Sequence, residues 1–301
     1  MYLPARDPAQ LYDPRFEHDA CGVGFVARVN GRDSHDILEL ALTALSRLEH
    51  RGAVADDART GDGAGVLTQL PYRLLRRELA AVGLSALDTD LALGMLFLPA
   101  DPDQCTKACS LVEQALAAYH LPLLRWRDVP IDPEVLGERA RRAMPTIRQI
   151  IVGRPQGLDD QAFERTIFLA RKMMERLFRQ ASLPAYIPSF SSRTVVYKGL
   201  LLGSHLADFY IDLRDPDFTT AIAVYHQRYS TNTFPTWERA QPFRMLAHNG
   251  EINTLQGNVN WMRAREQAIT LPDDFLPSGA PSMSELLPVI DENGSDRKSV
   301  V

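Results

Sequence analysis

No apolar run in this chain is longer than a strand. The most extended, Leu91 to Pro99, would cross a β-sheet. A bilayer needs roughly 18 or more apolar residues in a row, so the chain contains no membrane-spanning helix. Its core must come from short strands and amphipathic helices packed in layers. Cys21–Ala27, Gly63–Leu70, Leu91–Leu98, Ala185–Phe190, Thr194–Tyr197, Ala221–Tyr229 and Met245–His248 read as strands. Helical spacing marks Ser34–His50, through Ile37, Leu38, Ala41, Leu42, Leu45 and Leu48, with Ser34 as its N-cap. Further helices are expected at Asp101–Tyr119, with Pro102 in the first turn, at Asp159–Ala181 and at Leu255–Ala268. Gly199–Ala207 reads as a short helix or turn, and Asn30-Gly31 as a tight turn. Two helices follow one another after the early strands, so strict βαβ alternation is absent. The fold class predicted is α+β with largely antiparallel sheets, in one domain.

Charge and cysteine usage narrow the function classes. The 33 Lys and Arg stand against 38 Asp and Glu, a net charge of −5. Phosphate backbones call for a concentrated basic face, so nucleic acid is not the expected partner. Three cysteines, Cys21, Cys105 and Cys109, make no disulfide scaffold and place the chain in a reducing cytoplasm. Cys105 and Cys109 lie four apart on one helix face and read as core packing rather than a metal site, as does the Met173-Met174 pair. Residues 1–20 carry three prolines and seven charged or histidine side chains, and lack the apolar stretch of a secretory signal.

Three constellations could carry chemistry. Cys21 opens the first apolar run, flanked by Gly22 and Gly24, which allow close approach. Inside a chain it would be an inert buried thiol. At a chain start its own α-amine, with a pKa of about 8, could take the thiol proton. The polar, proline-rich segment ending at Ala20 has the character of a removable leader. The second constellation is Leu48-Glu-His-Arg-Gly with Gly61-Asp-Gly-Ala-Gly65, which matches no phosphate loop and by itself reads as a flexible loop. The third runs from Tyr225 to Trp237 and from Gln241 to Asn253. There Arg228, beside Ser230 and Thr231, can receive an amino-acid carboxylate bidentately. Asn249 and Gly250 present a side-chain amide and a main-chain N–H, an oxyanion-hole arrangement. Taken alone, Asn249-Gly250 reads as a hairpin turn.

As a set these motifs resemble the type-2 glutamine amidotransferases: Cys-Gly-Val-Gly-Phe, Leu-Glu-His-Arg-Gly, Gly-Asp-Gly-Ala-Gly, Tyr-Ser-Thr-Asn-Thr and His-Asn-Gly-Glu-Ile-Asn-Thr-Leu, in this order. The wording His-Gln-Arg-Tyr-Ser-Thr-Asn-Thr-Phe-Pro-Thr-Trp and Gly-Asn-Val-Asn-Trp-Met is similar to the glutaminase domain of the glutamate synthase large subunit. The resemblance runs from Cys21 to about Asp296. It implies an N-terminal-nucleophile hydrolase fold, an αββα sandwich, with residues 1–20 a propeptide and 21–301 the amidotransferase domain. It implies Cys21 as the nucleophile attacking the side-chain amide of L-glutamine, Asn249 and Gly250 as the oxyanion hole, and Arg51 in support. Arg228, Ser230 and Thr231 would hold the substrate, and Asp296 its α-amine.

After Ser295-Asp296 the wording departs from the family, and the domain is expected to be truncated at its C-terminal end. The resemblance places FMN, a 3Fe-4S cluster and the 2-oxoglutarate site in further domains, with none of these cofactors in this segment. It names those domains as partners, and a small electron-donating subunit as an open alternative. Two rival readings stand beside it: an amidotransferase with another acceptor, such as a sugar phosphate, and an unprocessed, inactive fragment that at most binds glutamine.

Overall fold

The computed structural model describes residues 22–57, 59–85, 90–228, 234–244, 255–270, 286–287 and 289. Among these residues eight strands form two four-stranded sheets, and every pairing within them is antiparallel. The first sheet contains β1 (Val23–Ala27), β8 (Ile222–Gln227), β2 (Ala64–Gln69) and β7 (Thr194–Gly199), in that spatial order. The second contains β4 (Leu123–Asp128), β5 (Thr146–Gly153), β3 (Leu91–Leu98) and β6 (Tyr186–Ser191).

The second sheet is apolar on both faces, as its continuous aliphatic runs require. On one face Ala92, Leu96, Ile150, Val152 and Ile187 pack under α3 (Pro102–Ala118) and α5 (Asp160–Gln180). Leu93, Met95, Phe97 and Ile151 face the other way, into a larger core shared with Val66, Val195 and Tyr197 of the first sheet. That core also takes Ile37, Leu38, Ala41 and Leu45 from α1 (His35–Ser46), which lies on β8 and β1. Each of the Leu, Ile, Val, Met and Phe side chains among these, once fully buried, contributes about 1.5–3 kcal/mol.

One charged cluster is sealed inside. Arg127 of β4 and Asp212 form two parallel hydrogen bonds of 2.7 and 2.6 Å. Tyr197 donates to Asp212 at 2.8 Å, and Gln149 donates to Tyr197 at 2.9 Å while accepting from Arg127 at 2.9 Å. The network therefore ties both sheets and the Ile211–Arg214 turn together. Burial works against the Arg127 charge, but the bonds and charge of Asp212 outweigh it and hold the guanidinium protonated.

The α+β class and the antiparallel sheets agree with the sequence reading, and several details differ. Helix α1 stops at Ser46, and Glu49–Arg51 forms a separate 3-10 turn. Ser34 occupies the N-cap position in extended conformation but makes no side-chain cap bond. Real caps appear at Asp101 and Asp159, which accept from Gln104 N and Ala162 N. The expected succession of two helices is broken by β4, by the one-turn helix α4 (Glu138–Arg142) and by β5. Helix α2 (Tyr72–Ala80) and the short α6 (Leu206–Phe209) complete this part, and α7 spans Leu255–Glu266. The strand expected at Met245–His248 lies outside the described residues, as do residues 1–20. Cys105 and Cys109 pack half-buried against the second core, as expected, with Arg148 3.5 Å from the Cys109 sulfur.

Across the first sheet one row of directly paired residues grades from buried to exposed. Val196 is buried, Leu67 and Val224 are intermediate, and Phe25 on the edge strand is 68% exposed. Val23 and Ile222 add exposed apolar surface beside it.

Candidate active site

Three sequence motifs meet at one end of the first sheet. Both glycines of Cys-Gly-Val-Gly sit in close contact there, Gly22 against main chain and Gly24 against a side chain. A Cβ on Gly22 would stand 2.2 Å from the main-chain oxygen of Gln227, and one on Gly24 would fall 2.3 Å from the Tyr225 hydroxyl. The chain thus enters β1 hard against the end of β8, with Gln227 N donating to Gly22 O at 2.6 Å. Cys21 precedes this junction by one residue and itself lies outside the described residues.

Arg228 follows β8 directly and is 1% exposed. Its main-chain N–H donates to Gly63 O at 2.8 Å, and its guanidinium reaches Asp62 O at 3.3 Å. The arginine of the third motif is therefore seated on the Gly61-Asp62-Gly63 loop of the second. Gln227, also 1% exposed, turns its side chain toward the Glu49–Gly52 corner: its Oε1 accepts from Gly203 N at 2.9 Å, and its amide nitrogen packs against Gly52. Arg51 closes the 3-10 turn immediately before that glycine.

The glycine-rich loop is held at many points, contrary to a reading of it as flexible. Val54 and Gly61 form a β-bridge, Ala55 N donates to Thr60 O, and Asp62 N donates to Ala53 O. At its tip the Asp57 carboxylate accepts from Arg59 N, Thr60 N, the Thr60 hydroxyl and Arg139 N. Partial burial opposes the Asp57 charge, yet the Thr60, Arg59 and Arg139 bonds outweigh it and bring the pKa down to about 2. The Thr60 hydroxyl also accepts from Ala140 N at 3.3 Å, which joins the loop to α4.

Residues 234–244 form a bridge across the same end of the sheet. Ala240 and the main chain of Gln241 lie where Cβ atoms on Gly63 and Gly65 would stand, so this glycine cluster is the floor on which the bridge rests. The Trp237 indole donates to Ala140 O at 3.1 Å and sits edge-on to Phe97. Lys198, fully buried at the end of β7, donates to Glu238 O at 2.8 Å and to the Tyr186 hydroxyl at 3.3 Å. Its ammonium lies 4.7 and 4.6 Å from the Tyr186 and Phe243 ring centres. Arg244 ends the bridge, donating to Ile187 O and pairing with Glu175 of α5 at 3.5 Å. Burial pushes the Lys198 pKa well below the ordinary lysine value, and the Arg244 and Arg228 charges add to that effect.

Of the residues singled out in the sequence, Arg228 and the main chain of Arg51 fall at this junction. Ser230, Thr231, Asn249, Gly250 and Asp296 lie outside the described residues, as does the Arg51 side chain. Asp57 and Lys198 escape the sequence reading, and Gln227 and Trp237 enter it only as parts of the third motif, with no role of their own. Lys198 left a signal there, a lone charge ending the apolar run Val195-Val196-Tyr197. Among the described residues no three His, Cys, Asp or Glu side chains gather where they could hold a metal ion, and no helix is long and apolar enough to cross a membrane.

The family model of the class-II glutamine amidotransferases matches residues 21–300. The chain is 43% identical over 294 residues to the glutamate synthase [NADPH] large chain of Azospirillum brasilense, covering 97% of this chain and 19% of that protein. It is 42% identical over 287 residues to the corresponding large chain of Bacillus subtilis, covering 95% and 18%. Ferredoxin-dependent glutamate synthase 2 of Synechocystis is 42% identical over 283 residues, covering 93% and 18%. The chain spans about a fifth of the length of these relatives.

Proposed function

Because this chain belongs to the class-II glutamine amidotransferases, we propose that it is the glutaminase domain of a glutamate synthase, hydrolysing the side-chain amide of L-glutamine to glutamate and ammonia. One observation supports this reading above others. The start of β1 next to Cys21, the Gly61–Gly63 loop, the Glu49–Gly52 corner and Arg228 come from four separate stretches of chain, and direct bonds or contacts join them at one sheet end.

In this reading residues 1–20 are a propeptide and 21–301 the amidotransferase domain. Once Cys21 is the first residue, its α-amine accepts the thiol proton and the sulfur attacks the amide carbon of glutamine. Negative charge develops on the amide oxygen, where the Asn249 side chain and the Gly250 N–H receive it. The amide C–N bond then breaks, and ammonia leaves with the proton carried from the thiol. Water hydrolyses the resulting γ-glutamyl thioester, which returns the thiol. Arg228, with Ser230, Thr231 and Asp296, holds the α-carboxylate and α-amine of the substrate, and Arg51 supports the nucleophile. The rest of the longer protein would contribute FMN, a 3Fe-4S cluster and the 2-oxoglutarate site that consumes the ammonia, with a small electron-donating subunit as partner in some arrangements.

Intact mass together with a glutamine-analogue electrophile tests this. An active chain begins at Cys21 and gains one adduct on that residue, and Cys21→Ser abolishes both labelling and turnover. A chain that starts at Cys21, hydrolyses glutamine and still does so as the Cys21→Ser variant would remove the cysteine from the mechanism.

A further inference from the structure

Cys105 and Cys109 are the two cysteines among the described residues, both free and half-buried on α3, and glutamine hydrolysis as proposed above uses neither. Positions four apart on a helix bring their Cβ atoms to about 5–6 Å. A disulfide needs about 3.5–4.5 Å between Cβ atoms, so the two sulfurs cannot join directly while α3 stays helical. A single atom held between them spans the gap. One of the pair is also held from the sheet. Arg148 of β5 donates to the Cys109 sulfur at 3.5 Å, while its guanidinium pairs with Asp128 at 2.7 Å and lies 4.7 Å from the centre of the Trp126 ring. The Trp126 indole in turn donates to Glu113, one turn further along α3.

We propose that Cys105 and Cys109 form a second ligand site, a dithiol that chelates trivalent arsenic bearing one organic group. Thiols are soft ligands and select soft centres. Two of them are too few for zinc, which takes three or four protein ligands, and among the described residues no third His, Cys, Asp or Glu joins them. An arsenic that carries one organic group has two exchangeable oxygens, which matches the count. In the binding step two S–H and two As–O bonds break, two As–S bonds form and two waters leave, with no oxidant or reductant involved. The thiols enter that step in their neutral form. Burial and the adjacent Cys105 thiol raise the Cys109 pKa, and Arg148 works the other way without cancelling them. Alkylating agents, which take the thiolate, are therefore handicapped at neutral pH, whereas a reagent that condenses with protonated thiols is not.

The test titrates phenylarsine oxide into the full chain as wild type, Cys21→Ser, Cys105→Ser and Cys109→Ser, read by intact mass and by counting free thiols. Wild type and Cys21→Ser should each gain one phenylarsenic group and lose two thiols per adduct. The adduct should survive 2-mercaptoethanol and be released by 2,3-dimercaptopropanol, itself a dithiol. Cys105→Ser and Cys109→Ser should each bind about a hundredfold or more weaker, because the second sulfur otherwise acts at high effective concentration. Trypsin gives a readout that needs no variant. It cleaves after Lys107, between the two cysteines, so a bridging arsenic leaves the peptides 78–107 and 108–125 joined. A wild type that takes no adduct, an adduct lost in Cys21→Ser, one kept at full affinity by either of the other variants, or a labelled digest in which the two peptides separate would overturn the inference. None of these outcomes depends on glutamine hydrolysis, so the site stands or falls apart from the amidotransferase reading.

Discussion

With Cys21 as the proposed nucleophile, Gly22→Ala offers a sharp test of how the fold would aim it. The added methyl would stand 2.2 Å from the main-chain oxygen of Gln227, about 1.2 Å short of ordinary contact. That oxygen belongs to the end of β8, which is paired on both sides and cannot rotate away as a side chain could. The start of β1 must therefore move by about an ångström, and with it the adjoining Cys21. Overpacking of this kind costs about 1–3 kcal/mol in stability, a few degrees in melting temperature for a chain of this size. The effect on rate is larger, on the order of a hundredfold for such a displacement of a reacting group. Gly24→Ala is the control: its methyl meets the far end of the Tyr225 side chain, which can swing aside, so the loss should be much smaller. The assay combines glutamine hydrolysis, the rate of Cys21 labelling, thermal unfolding and intact mass, the last ensuring that all forms begin at the same residue. Equal labelling rates for folded Gly22→Ala and wild type would show that the β1–β8 contact does not set the nucleophile.

Arg127→Met should lower stability by about 3–5 kcal/mol, because it strands the buried Asp212 carboxylate, whereas Arg127→Met with Asp212→Leu should recover most of that loss; chemical unfolding of both variants decides it. Arg228→Lys should raise KM for glutamine, since an ammonium cannot reproduce the planar fork, and an unchanged KM would take Arg228 out of the clamp. Asn249→Ala should slow hydrolysis about a hundred- to a thousand-fold, measured as kcat. Asp57 titrates at about 2 in the folded chain against an ordinary 3.8. A depressed carboxyl stabilises above its unfolded pKa and loses that stability as pH falls through the folded one. Protection of the Arg59 and Thr60 amides against hydrogen exchange, taken relative to the intrinsic rate at each pH, should fall between about pH 4 and 2, and unchanged protection over that window would contradict the loop's dependence on Asp57.

Much of the scaffold was legible because apolar periodicity reports burial directly. Leu91–Leu98 is buried along its whole length, and α5 shows its apolar stripe where Phe163, Ile167 and Met174 meet the core. The strand β4 escaped because its sequence, Leu-Leu-Arg-Trp-Arg-Asp, carries charges, one of which is buried by the partner Asp212 from 85 residues away. No local pattern records a neighbour so distant. The same reason hid Lys198, whose carbonyl partner Glu238 lies 40 residues on, whereas three of the four bonds to Asp57 are local, from Arg59 and Thr60. Gly61, Gly63 and Gly65 were visible as a cluster but were read as flexibility. The structure gives the opposite cause: a side chain at Gly63 or Gly65 would collide with Ala240 or Gln241, and one at Gly61 with Leu201.

The graded row from Val196 to Phe25 has a consequence for handling the protein. Its exposed end lies on β1, the outer strand of its sheet among the described residues, and the outer peptide groups of an edge strand can template further pairing. An apolar face joined to an open edge makes molecules attract at short range whatever their net charge of −5. The osmotic second virial coefficient should accordingly turn negative as sulfate is added, because excluded salts strengthen apolar association. Phe25→Lys on that face should shift the onset of precipitation to higher salt while leaving the buried half of the row untouched.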